Sequence, residues 1–88
     1  AYAQDVGKTL FDSGKYAESS EWYAGELKHL PPEWLRNKLL YNLGTSLIAE
    51  KKWDEAERAF FAISKEAYTF PLFRLRLLYN QLLILWYQ

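Results

Sequence analysis

Apolar positions recur along the chain at three- and four-residue spacing, the period at which side chains share one face of a helix. Val6 and Leu10 fall on one stripe with the small Gly7. Asp12-Ser13-Gly14 then supplies a stop in which Gly14 can take positive φ. A second helix carries Tyr16, Ser19, Ser20, Tyr23, Leu27 and Leu30, and Pro31-Pro32 ends it. Pro32 can open the next helix, because the first turn needs no amide donor from proline. That third helix is predicted over about residues 33–50, with Leu39, Leu40, Leu43 and Leu47 on one side and Lys51-Lys52 at its turn. A fourth has Ala56, Ala59, Phe60, Ile63 and Ala67 in phase, and Asp54, Glu55 and Glu57 near its positive dipole end. Pro71 starts a fifth that runs to the end. The expected class is all-α.

The pattern repeats. A shift of 37 positions carries Gly7 onto Gly44, Lys15-Tyr16-Ala17-Glu18 onto Lys52-Trp53-Asp54-Glu55, Ser19 onto Ala56 and Tyr23 onto Phe60. A shift of 38 carries Arg36 and Leu39-Leu40-Tyr41-Asn42 onto Arg74 and Leu77-Leu78-Tyr79-Asn80. The chain therefore holds two units and the opening of a third, and a search for repeats decides the fold. Glycine inside a helix costs roughly 1 kcal/mol relative to alanine, so its retention at both equivalent positions points to close helix–helix approach. The expected partners across each turn are small: Ser19 for Gly7, Ala56 for Gly44.

These residues are where the chain resembles the tetratricopeptide repeat family, a helix–turn–helix motif of about 34 residues. Val6, Gly7, Leu10, Gly14, Tyr16, Ser19 and Tyr23 meet its pattern, with Pro31 closing the unit. Leu40, Leu43, Gly44, Leu47, Trp53, Ala56 and Phe60 make the second copy. The period is three or four residues longer than the family's, Tyr68 stands where the second closing proline belongs, and Ala3 replaces an aromatic. The units span about residues 2–31 and 33–68, with a capping or third-repeat helix over about 71–88, all in one domain.

The resemblance implies antiparallel hairpins stacked in a short right-handed superhelix, the first helix of each lining a concave groove that binds a peptide or protein segment. Its groove positions fall on Gln4, Asp5, Lys8 and Asp12, then Lys38, Tyr41, Asn42 and Thr45, then Arg76, Tyr79, Asn80 and Leu83. Asparagine offers donor and acceptor to a peptide backbone, and tyrosine a rigid face with a polar tip. The competing reading is that Asn42 and Asn80 are solvated or bond within the repeat. Tyr41→Ala and Asn42→Ala are both expected to weaken partner binding with little loss of thermal stability. Some family members clamp a C-terminal carboxylate; here Asn42 fits that set, while Gln4, Lys8, Arg76 and Asn80 hold the other positions, so such a clamp is not expected.

The fifth helix is apolar nearly all round, from Leu72 to Tyr87, and such a helix asks to be covered on every side. Three readings compete: half of a third repeat, a terminal helix pairing with a second copy through Leu78, Leu82, Leu85 and Trp86, or shallow insertion at a membrane surface. Leu82 stands where Gly7 and Gly44 stand, which favours capping or pairing. Only Arg74 and Arg76 supply a cationic face, which weakens the membrane reading.

Eleven basic residues balance eleven acidic ones in 88, so no basic field exists to neutralise phosphates and nucleic acid is not an expected partner. There is no cysteine and a single histidine, His29, whose place at a helix C-terminus suits a cation. No thiol chemistry or metal set follows, the serines lack a triad-like base, and the four glycines form no phosphate loop. The chain reads as non-catalytic, without cofactor, metal or small-molecule substrate. It reads as a binding module, with self-association or docking through the fifth helix as the alternative. The first residue is not Met, as in a processed or excised segment; Ala1-Tyr2-Ala3 also fits the end of a cleaved secretory signal, against a leaning towards the cytoplasm.

Overall fold

A computed structural model describes residues 5–64 and 71–87, the side chains of 71–73 excepted. Gln4, Ala67, Tyr68 and Ala1-Tyr2-Ala3, all used above, lie outside the described residues. The described residues are all-helical: α1 (Val6–Asp12), α2 (Tyr16–Leu27), α3 (Glu33–Ala49), α4 (Trp53–Phe61) and α5 (Pro71–Tyr87). The packing is that of a helical repeat. Phe11 at the end of α1 meets Tyr16 at the start of α2, their rings 5.0 Å apart, while Asp5 at the start of α1 accepts from the Tyr23 hydroxyl further along α2 at 2.9 Å, so the pair is antiparallel. Arg36 at the start of α3 donates to the Ala62 carbonyl just past α4, at 3.2 Å, so the second pair is antiparallel too. Trp53 at the start of α4 stacks on Tyr87 at the end of α5, at 5.5 Å and 6°.

Both hairpins turn on the same cap. The Gly14 amide donates to Phe11 O and the Lys15 amide to Leu10 O, each at 2.9 Å. Lys51 and Lys52 repeat those bonds onto Ile48 O and Leu47 O at the same distance. This cap needs a left-handed residue at its centre, met by Gly14 at φ 80° and, in the second copy, by Lys51 at φ 63°. Leu30 is also left-handed, at φ 52°, and almost fully exposed. The expectation that it would extend the α2 stripe therefore fails. The proline after it disfavours helical geometry at Leu30, and α2 ends at Leu27.

Close approach occurs at both expected glycines, but aromatic rings fill the space. A Cβ built on Gly7 would lie 2.5 Å from the Tyr23 ring and 2.9 Å from Trp22; one on Gly44 would lie 2.5 Å from Phe60. Ser19 and Ala56 sit one helical turn earlier on the same faces and are fully buried. Ser19 meets Gly7 through a hydrogen bond to its carbonyl. Around Phe60 a continuous core joins Leu40, Leu47, Ala56, Ala59, Ile63, Leu77 and Ile84. Arg36 and Asn37 close the far end of α4, the Asn37 Oδ1 accepting from the Ser64 amide at 3.1 Å.

The fifth helix is not covered all round. Leu77, Asn80 and Ile84 are buried against α3 and α4, while Leu75, Leu78, Tyr79, Leu82, Leu85, Trp86 and Tyr87 are exposed. No described helix is long and apolar enough to cross a membrane.

Gly44→Ala should therefore cost roughly 1–3 kcal/mol, because the rigid Phe60 ring must move. Gly25→Ala, with nothing within 4 Å of the new Cβ, should instead gain a few tenths to about 1 kcal/mol. Urea melts of the two variants check the sign difference. Lys51→Gly should raise stability by about 1 kcal/mol by relieving the left-handed residue, a gain of roughly 4–8 °C in Tm for a domain of this size.

Candidate functional site

The junction between the two hairpins is polar and buried. The Ser19 hydroxyl of α2 donates to the Gly7 carbonyl of α1 at 2.7 Å and lies 3.0 Å from the Ser46 hydroxyl of α3. Ser46 in turn lies 3.0 Å from the Asn42 carbonyl. Each hydroxyl carries one proton, so two protons serve three oxygen–oxygen links and the bridge is shared. Beside it, Ser20 donates to Glu50 Oε2 at 2.7 Å, which ties α2 to the end of α3. These bonds hold α1 and α3 parallel, with a gap between them.

That gap is a cavity of about 310 Å³ lined by Asp5, Lys8, Phe11 and Asp12 from α1 and its cap, Tyr23 from α2, and Asn42, Thr45 and Ser46 from α3. Asp5 is fixed twice: its Oδ1 accepts from the Lys8 amide and from the Tyr23 hydroxyl, each at 2.9 Å. Lys8 Nζ pairs with Asp12 at 2.7 Å on the rim. The hydrogen bond to Asp12 raises the Lys8 ammonium above its ordinary pKa. With the folded value raised, the pair's contribution is present at neutral pH and fades only as pH climbs through that value; exposure keeps it small. Thr45 donates to the Asn42 carbonyl at 2.9 Å. The Asn42 side-chain amide, half-buried, makes no hydrogen bond among the described residues.

Of the residues expected in a groove, the structure brings Lys8, Asn42 and Thr45 together in this cavity, with Asp5 and Asp12. A second set is joined elsewhere. The buried Asn80 amide donates to the Tyr41 hydroxyl at 3.1 Å and to the Arg76 carbonyl at 3.0 Å, linking α5 to α3. Tyr41 also leans on Phe60, ring centres 6.0 Å apart. Lys38 and Tyr79 are exposed and Leu83 is half-buried, and none of them lines the cavity. Leu78, Leu82, Leu85 and Trp86 form the open side of α5.

Phe11, Tyr23 and Ser46 line the cavity without having been expected there. One signal was available for Tyr23. It is the copy of Phe60 with a hydroxyl added, and a buried hydroxyl asks for a partner. Among the described residues no cluster of three His, Asp or Glu side chains is placed to hold a metal ion. Compared with protein-family models, curated proteins and solved structures, the chain matches none.

Because Tyr41 carries a bond between helices, its hydroxyl bears on stability. Tyr41→Phe should cost about 0.5–1.5 kcal/mol in a urea melt, and less than that once Asn80 is also changed to Ala. Additive losses in the double variant would mean that the two side chains act independently.

Proposed function

We propose that the chain is a non-catalytic recognition module of tetratricopeptide type, which holds an extended peptide segment in the groove between α1 and α3. One observation carries this reading: the half-buried Asn42 amide, which makes no hydrogen bond among the described residues, lines a cavity together with Phe11 and Tyr23 and the charged Asp5, Lys8 and Asp12. Asparagine's paired donor and acceptor match one peptide unit of an extended strand. Phe11 and Tyr23 give a bound apolar side chain a surface, and Lys8, Asp5 and Asp12 set the polarity of its flanks. With 11 basic and 11 acidic residues, the partner is recognised by shape and hydrogen bonding more than by long-range charge.

The groove is supported by a rigid frame. Tyr23 is held by Asp5, and Ser46 by Ser19, so the walls need little ordering on binding. Tyr41 belongs to the frame rather than to the groove, so Tyr41→Ala would lower stability as well as binding.

Panning a random peptide display library on the chain, then synthesising the strongest binder, supplies a probe. Asn42→Ala should weaken that peptide about tenfold, the worth of one buried hydrogen bond of about 1.4 kcal/mol, with the melting temperature held. A binder indifferent to Asn42→Ala and to Lys8→Ala would place recognition outside this groove and end the proposal.

A further inference from the structure

The open side of α5 is a separate surface from the groove. Leu75, Leu78, Leu82 and Leu85 follow one another at intervals of three, four and three residues, with Tyr79 and Trp86 alongside. That is the seam of a paired helix, and no charged side chain interrupts it. The repeat shows what such a face receives. Leu78, Leu82 and Leu85 are the copies of Leu40, Gly44 and Leu47. In α3 the two leucines are 7% and 6% exposed under α4; in α5 the three copies are 45%, 65% and 72% exposed.

A helix cannot cover α5 as α4 covers α3. At Gly44 even a Cβ would lie 2.5 Å from the Phe60 ring, and α5 presents a whole leucine there. The seam instead suits interlocking leucines at coiled-coil spacing. Its extent fits a stable interface. At roughly 200 Å² per large side chain, the six seam residues present on the order of 800 Å², above the roughly 300–600 Å² of an ordinary monomer's largest patch and near the roughly 800 Å² per partner of a specific complex.

Charge sets the direction of a second copy. Arg74 and Arg76 flank the start of α5, which has no acidic residue; at its other end, where Trp53 stacks on Tyr87, Asp54 and Glu55 stand among Lys51, Lys52 and Arg58. A second copy laid antiparallel holds the two arginine pairs apart by the length of α5, whereas a parallel copy sets arginine against arginine. We infer that the chain forms a two-fold symmetric dimer through an antiparallel α5–α5 seam, with Leu82 near its centre. The groove between α1 and α3 stays open on each copy.

Sedimentation equilibrium of the whole chain tests this directly. The parent should sediment at twice its 10.4 kDa mass. Leu82→Glu and, independently, Leu85→Lys should each weaken association at least about a hundredfold, with helical circular dichroism retained because both positions are exposed. A parent that stays monomeric overturns the inference. So does one that is monomeric and co-sediments with phosphatidylcholine–phosphatidylglycerol vesicles through the same leucines. A dimer unmoved by both leucine variants overturns the seam. Peptide capture in the groove reads separately, since Asn42→Ala leaves the seam intact.

Discussion

The structure depends on two aromatic rings laid over two glycines. Tyr23 on Gly7 and Phe60 on Gly44 set how near the helices of each hairpin lie, because no side chain stands between ring and backbone. That nearness puts the Ser19 hydroxyl within reach of the Gly7 carbonyl, and α3 within reach of Ser19. Dispersion over a flat ring and burial of its area repay the glycine's conformational cost, about 1 kcal/mol against about 1.5–3 kcal/mol for a buried aromatic. The spacing between α1 and α3, and so the width of the cavity, follows from that contact.

Much of this was legible in the chain. The glycine phase, the three- and four-residue spacing and the two prolines located the helices to within a few residues, because each rests on local geometry. What fills the glycines was not legible. Ser19 and Tyr23, like Ala56 and Phe60, are four residues apart on one helical face, so periodicity cannot say which of each pair crosses over the glycine. The crossing angle decides it, and that is a tertiary quantity. Leu30 misled for a different reason: its spacing continued the stripe, but the following proline overrode it. The long apolar pattern of α5 announced burial without saying where the cover would come from.

The copies also show how one geometry carries two chemistries. Ser19 and Ser46 at the first junction become Ala56 and Ile84 at the second, and all four are buried. A hydroxyl pair in an apolar layer fits only its own partner, so the polar junction fixes the register of the first two hairpins. The apolar junction around Phe60 and Leu77 supplies burial instead. Hydroxyls in α5's place would have found no partner in Ala56, and would have cost about 1–3 kcal/mol each.

The same comparison separates the two junctions. Asn42 and Asn80 occupy equivalent positions, yet the Asn80 amide is taken up by Tyr41 and by its own helix. No tyrosine stands at the copy of Tyr41 one repeat earlier, and the Asn42 amide makes no hydrogen bond among the described residues. Lys8 and Asp12 become Thr45 and Ala49, and Thr45 becomes Leu83, so the polar rim of the first cavity has no counterpart beside α5. Loss of polar character along the stack leaves, at its start, an amide with no hydrogen bond among the described residues and, at its end, an apolar seam. A peptide and a second copy of the chain would thus meet different surfaces, and neither need displace the other.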